Sequence, residues 1–368
     1  MNIIIFIIML LVLVLVHEAG HFFTAKKFGI RVDEFGFGFP PKIFGKKYGE
    51  TEYSLNLLPI GGFVKIFGEN PDDENTNGPD ASRSFVNKAK WKQAIVLVAG
   101  VTANFLLAWL LFSVGFMSGM PTSVGSQPKG INLNNVFLTI VSVAPDSPAE
   151  KAGLKTGDRI AAVEILPYTM DELNTDAFKA FIVAHPQKEF GIEYLRGKDE
   201  YTLHTTKVTP TAGINGAQPM IGISMDMIGT AKLPFFTALK EGMELTLFVT
   251  KGTVVGLYEL IVGSIQGKSD LLSSVTGPVG MVGIVGDAYQ FGFVYLLSFA
   301  ALISVNLAII NLLPFPALDG GRLFFLLIEK IKGSRINPKF ANMANMIGFG
   351  ILILLMVVVT FHDVIKLF

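Results

Sequence analysis

The chain has no cysteine, which excludes disulfide bridges, thiolate metal ligands and cysteine nucleophiles from the outset. Charge is also scarce: Asp, Glu, Lys and Arg make up 16% of the residues, against roughly 25% in soluble domains. Acids and bases cancel at 30 each, so no basic surplus points to a nucleic-acid partner. What is abundant is apolar. At 51% hydrophobic residues and a mean hydropathy of +0.51 over 368 residues, the chain reads as an integral membrane protein. Its N-terminal apolar run lacks the basic head of a signal peptide and is expected to be retained.

Inside that run stands Val16-His17-Glu18-Ala19-Gly20-His21-Phe22. On a helix, His17 and His21 share one face about a turn apart. Two imidazoles at that spacing can hold one zinc ion, while Glu18 can take a proton from a water on the metal. The bland alternative is a polar cluster packed between helices. Ionisable groups at bilayer depth cost roughly 2.5–3.5 kcal/mol each, so three together call for a compensating role.

Residues 2–23 are long enough to span a bilayer, and Lys26, Lys27, Arg31, Lys42, Lys46 and Lys47 follow them. That basic cluster places the C-terminal end of the segment, and with it the histidines, toward the cytoplasm. Residues 53–66, apolar around Pro59-Ile60-Gly61-Gly62, read as two short strands about a turn that dips into the bilayer or packs on the helices. A second span covers residues 94–117, with Gly100 and Asn104 on one face, as helix-packing devices or as part of a site.

From residue 120 the chain turns more polar. Residues 137–143, and then Ser147-Pro148-Ala149-Glu150-Lys151-Ala152-Gly153-Leu154-Lys155-Thr156-Gly157-Asp158-Arg159-Ile160, resemble the core of bacterial PDZ domains. Segments 159–164, 175–184, 189–194 and 201–207 supply the remaining strand, helix and strands. Glu164-Ile165-Leu166-Pro167-Tyr168 departs from the usual Asn-Gly turn. Such a domain takes a peptide as an added strand, or serves as a folded cap.

Residues 234–263 are apolar but interrupted by Glu241, Glu244, Lys251 and Glu259, as in an interfacial amphipathic helix or a poor span. A clear span at 289–313 contains Asn306 and closes on Asn311-Leu312-Leu313-Pro314-Phe315-Pro316-Ala317-Leu318-Asp319-Gly320-Gly321-Arg322. Asp319 is a suitable third zinc ligand or a helix N-cap. Lys330, Lys332, Arg335 and Lys339 mark cytoplasm before the last span at 345–361. If 234–263 does not cross, Asp319 arrives at the depth of His17. If it crosses, Asp319 emerges on the opposite face. Four spans are therefore expected.

The expected fold is a polytopic α-helical membrane protein with four transmembrane helices, an inserted extracytoplasmic PDZ-like α/β domain and a membrane-associated β-hairpin. Its parts are 1–118, with the zinc motif and the hairpin at 53–66; the PDZ-like domain 133–208; an amphipathic linker region 234–280; and 289–368, with the third ligand.

His17-Glu18-Ala19-Gly20-His21, Gly100-x-x-x-Asn104-Phe105 and Asn311-Leu312-Leu313-Pro314-x-Pro316-x-x-Asp319-Gly320, with the hairpin, together resemble the site-2 protease family of intramembrane zinc metalloproteases, in its RseP-like bacterial branch. The resemblance implies one Zn2+ on His17, His21 and Asp319, with Glu18 as general base and Asn104 and Asn311 near the substrate. It implies a bacterial cytoplasmic-membrane enzyme with both termini and the PDZ domain outside. The substrate would be a single-pass membrane protein already shortened by another protease, such as an anti-sigma factor or a signal-peptide remnant. It would be cut within or near its span after pairing with the hairpin edge around Leu55 and Leu57. Many relatives carry a second His where this chain has Arg322, and some carry tandem PDZ domains where one is found here. A metal transporter and a catalytically inactive scaffold are the alternatives.

Overall fold

The computed structural model describes all residues except 71, 129, 166–167, 171, 198–201, 213–217, 268–275 and 366–368. It divides into two compact units, Met1–Phe112 with Gly242–Gly286 and Ser298–Phe368, and Ser113–Glu241 with Asp287–Leu297.

Helix α1, Asn2–Lys27, carries the histidine motif. At 26 residues it is about 39 Å long, enough to cross a bilayer. Gly29, at φ +64°, ends it in a Schellman turn. The Ile30 N–H donates to the Ala25 carbonyl and the Gly29 N–H to that of Lys26, both at 3.0 Å. Ile30, fully buried, then directs the chain into a sheet.

That sheet corrects the expected hairpin. Strand β1 is Val32–Tyr48 and β2 is Thr51–Ile66; the chain reverses at Tyr48–Thr51 and, as expected, again between Leu58 and Gly62, but the arms of that second reversal are held apart. Residues 53–58 and 61–66 do not pair with each other. Both flank the start of β1: Phe35 is registered with Val64 on one side and Tyr53 on the other, and Phe37 with Gly62 and Leu55. The signal was Phe35-Gly36-Phe37-Gly38-Phe39, whose alternation has the two-residue period of a strand. Gly36 is required there, because a Cβ would meet the Phe63 ring. Leu55, Leu57 and Leu58 expose about half of their surface, as do Phe39, Ile43 and Phe44. One end of the sheet is thus an apolar surface.

Helix α2, Asp73–Asn77, is a capped turn in the following loop, with Asp72 and Asn75 forming a reciprocal capping box. Helix α3, Lys90–Ser118, is the second membrane-length helix.

The second unit is built on a sheet. Its strands are β3 (Met120–Ser123), β4 (Asn134–Val143), β5 (Arg159–Ile165), β6 (Tyr168–Thr169), β7 (Phe190–Leu195), β8 (Leu203–Val208) and β9 (Ile223–Ala231). They run in the order β3-β9-β4-β5-β7-β8, with β6 on β5. Short helix α4 (Pro148–Lys151), capped by Ser147, and α5 (Thr175–Ala184), capped by Asn174, complete it. The expected segments are all present, but the boundary at 208 cuts the sheet, since β9 pairs with β4 from Asn134 to Val143. The alternation Ile223, Met225, Met227, with each side chain packed on the core, was legible in the sequence. Leu166 and Pro167 of the departing turn, and Tyr201, lie outside the described residues.

Helices α6 (Phe235–Ile265), α7 (Pro278–Phe291), α8 (Phe293–Leu312), α9 (Asp319–Lys332) and α10 (Pro338–Ile365) follow. Among the described residues five helices are long and apolar enough to cross a membrane, α6 being the least apolar of them. The expected four are included; α6 is the addition.

Within the sheet unit, Asp158 is fully buried and bound by Arg196 through two contacts of 2.7 Å, with the Lys155 N–H at 2.8 Å. The carboxylate beside it holds the Arg196 guanidinium above its ordinary range. Removing one partner strands a buried charge, so Arg196→Met should destabilise this unit by about 3 kcal/mol. Hydrogen exchange on the full chain should show the loss in β4, β5 and β7; unchanged protection would contradict it.

Candidate metal centre

His17 and His21 lie on one face of α1, both buried, and Asp319 reaches them from the first turn of α9. The Nε2 atoms of His17 and His21 are 3.0 and 3.1 Å from Asp319 Oδ2, and 3.1 Å from each other. Ligands 2.0–2.2 Å from a tetrahedral ion sit roughly 3.4 Å apart, so this cluster is a few tenths of an ångström tighter than a loaded site. Among the described residues it is the one group of three His, Asp or Glu side chains that could share an ion. Leu318 occupies the N-cap of α9 and Asp319 points to the histidines, so the N-cap alternative for Asp319 falls away.

Surrounding groups fix both imidazoles. His21 Nδ1 donates to the Val96 carbonyl at 2.8 Å, leaving the Nε2 lone pair for a metal. His17 Nδ1 lies 3.3 Å from the Asn104 amide, whose Oδ1 is buried without a partner. Turning that amide lets Nδ1–H donate to Oδ1 with Nε2 again facing the cluster. In that tautomer His17, like His21, offers Nε2 to a metal. Ser304, fully buried on α8, donates to the Asn104 carbonyl at 2.8 Å and ties the helices together at this level. Gly100 faces the rings: a Cβ there would lie 2.7 and 2.8 Å from their Cε1 atoms. Small size at 100 makes room for the imidazoles.

The ligand loop is held from the last helix. Ala317, at φ +75°, adopts a left-handed backbone costing about 1–2 kcal/mol without glycine. Its N–H donates to Asn345 Oδ1 at 3.2 Å, and Pro316 packs where Gly348 has no side chain. Such outliers concentrate where surrounding structure imposes a functional geometry.

Glu18, half-buried, accepts a hydrogen bond from the backbone of Val64. The segment 62–66 has ladder partners on one side only, so the stretch beside Glu18 is a sheet edge. Leu55 instead is paired on both sides, with Phe37 and Phe44, and offers no backbone edge. Asn311 is half-buried in the last turn of α8 and makes no hydrogen bond to the cluster among the described residues. Arg322, a departure from the resembled family, pairs with Glu69 just beyond that edge. Neither Ser304 nor the Glu69–Arg322 pair was read from the sequence, because each depends on a partner more than 190 positions away.

Two histidines on a membrane-length helix and a carboxylate at the start of a short helix that follows another, with a glutamate beside the first histidine, define a class: membrane zinc metallopeptidases. Residues 5–355 match Peptidase family M50, the site-2 protease family, and the chain belongs to it. A Clostridium perfringens protein is 36% identical, with 96% of this chain and 95% of the relative aligned. Zinc metalloprotease RasP of Geobacillus kaustophilus is 30% identical over 100% of this chain and 98% of its own. The regulator of sigma-W protease RasP of Bacillus subtilis is 32% identical, over 100% and 99%. The two RasP alignments run to 446 and 445 positions against 368 residues, so those relatives carry segments without a counterpart here. The protein is a zinc metallopeptidase.

If Asn104 orients His17, Asn104→Leu should weaken zinc binding roughly 10–100-fold, measured by competition with a chelator. Gly100→Val should abolish it. Wild-type affinity in Asn104→Leu would remove that role.

Proposed function

We propose that this enzyme cuts a peptide bond within or near the membrane span of a single-pass protein, and that the convergence of His17, His21 and Asp319 beside Glu18 carries that reading. Zinc bound by the three ligands supplies a Lewis acid and a water acidified toward about pKa 7. Glu18 takes the proton of the attacking water and delivers it to the leaving amine. The buried imidazoles, fixed by Val96 and Asn104, keep their geometry as charge develops.

A helical substrate cannot present its carbonyl until its own hydrogen bonds open, and lipid offers no replacements. The 62–66 edge, adjacent to Glu18, gives the unwound segment a strand to join. Leu55 and Leu57 contribute exposed apolar side chains to the same sheet, and Asn311 a side-chain amide near the ligand loop. Relatives named as sigma-factor regulators support an anti-sigma factor, and a signal-peptide remnant is the other substrate of this kind, each previously shortened outside.

Topology follows from parity. The C-terminal ends of α1 and α8 both meet the metal ligands, so an even number of crossings separates α3 from α8. At 14 residues, about 21 Å, α7 is too short to cross. On this reading α6 does not complete a crossing and the chain has four spans. The basic segments lie in the cytoplasm, and the termini and the PDZ-like domain, a filter for substrates, outside.

Three measurements check this. Glu18→Gln should keep zinc and lose cleavage of a single-pass substrate in proteoliposomes; full activity would remove Glu18 as the base, and metal flux without cleavage would favour a transporter. Val64→Pro, at the edge, should slow cleavage at least about tenfold with zinc retained, since proline deletes a donor; an unchanged rate would contradict strand addition there. Single cysteines in this cysteine-free chain should be labelled from outside at Ser126 and Ser224 and not at Ser334; external labelling at Ser334 would contradict the four-span topology.

A further inference from the structure

A groove of about 940 Å³ runs between the start of α3 and the length of α9. Its wall is apolar, formed by Trp91, Ile95, Leu323, Phe324 and Leu327, three of which, Trp91, Phe324 and Leu327, are 58, 46 and 53% exposed. Lys90 and Lys330 stand at one end, and Leu312, Pro314 and Gly320 at the other, about 15 Å away along α9. Lys90 is paired with Glu329, which leaves Lys330 to set the charge at that end.

We propose that this groove seats an anionic phospholipid, its acyl chains on the apolar wall and its phosphate at Lys330. The occupant is chosen by charge. On the topology proposed above, this end of the groove lies at the cytoplasmic leaflet, where anionic headgroups attract lysines. A substrate span is the competing apolar occupant, but the cytoplasmic flank of a membrane segment is rich in Lys and Arg, which Lys330 repels. Trp91 matches the headgroup level, where indoles concentrate. The deep end of the seat matters for the metal: Gly320 follows Asp319, and Leu312 and Pro314 begin the ligand loop. A seated acyl chain abuts the segment that presents the carboxylate, so lipid composition tunes the peptidase.

The test weighs bound lipid by native mass spectrometry on the full zinc-loaded chain, titrated with phosphatidylglycerol or phosphatidylcholine of identical chains. Wild type should prefer phosphatidylglycerol by at least about fivefold, the value of one lysine at an anionic surface. Lys330→Gln should remove about that factor, and Lys339→Gln, outside the groove, should not. Benzoylphenylalanine in place of Phe324 should cross-link to lipid in membranes. Equal retention of the two lipids, an unchanged preference in Lys330→Gln, or cross-linking to a substrate span would overturn the proposal. Because the readout is bound lipid, it does not depend on cleavage; loss of activity in Glu18→Gln with lipid retained separates the two readings.

Discussion

Everything in the membrane unit answers to one constraint: three ionisable side chains, two of them buried, must meet among apolar helices. An unpaired polar group in hydrocarbon costs several kcal/mol, so each ligand is given a neighbour that both satisfies and aims it. Val96 and Asn104 do this for the imidazoles, and Ser304 secures the helix that carries Asn104. Asn345 and Gly348 hold the strained loop that delivers Asp319. Glycine at 100 leaves the space that the rings fill.

The same constraint explains the sheet. A soluble metallopeptidase can lean its substrate on a strand in water, whereas here the strand has to be brought to the metal within the bilayer's reach. The stretch 62–66 is held against Glu18 by packing on α1, where Gly62 sits over Val14 and Leu15. The Glu69–Arg322 pair joins the end of that stretch to the helix whose first residue is Asp319. Glu18, the 62–66 edge and Asp319 are thereby linked through short connections.

Much of the site was legible because its chemistry is local. His17, Glu18 and His21 fall within five consecutive positions, and the paired prolines before Asp319 mark irregular backbone at the end of a span. A four-span reading brought Asp319 to the depth of His17. What escaped the sequence depends on partners far along the chain. The sheet's strand order was misread because Pro59-Ile60-Gly61-Gly62 has turn chemistry, while the strand that separates its two arms lies 20 positions earlier. Strand β9 was missed because a long connection precedes it, although its alternation is plain. Helix α6 stays ambiguous by composition, being the least apolar of the five membrane-length helices.

Zinc K-edge X-ray absorption on the purified full chain tests the central claim most directly. The account requires two imidazole nitrogens and two oxygens at about 2.0–2.1 Å, one oxygen from Asp319 and one exchangeable. His21→Ala should remove one imidazole shell, and Asp319→Ala one oxygen. A spectrum with other than two imidazoles, or one unchanged in Asp319→Ala, would contradict a centre built between α1 and α9.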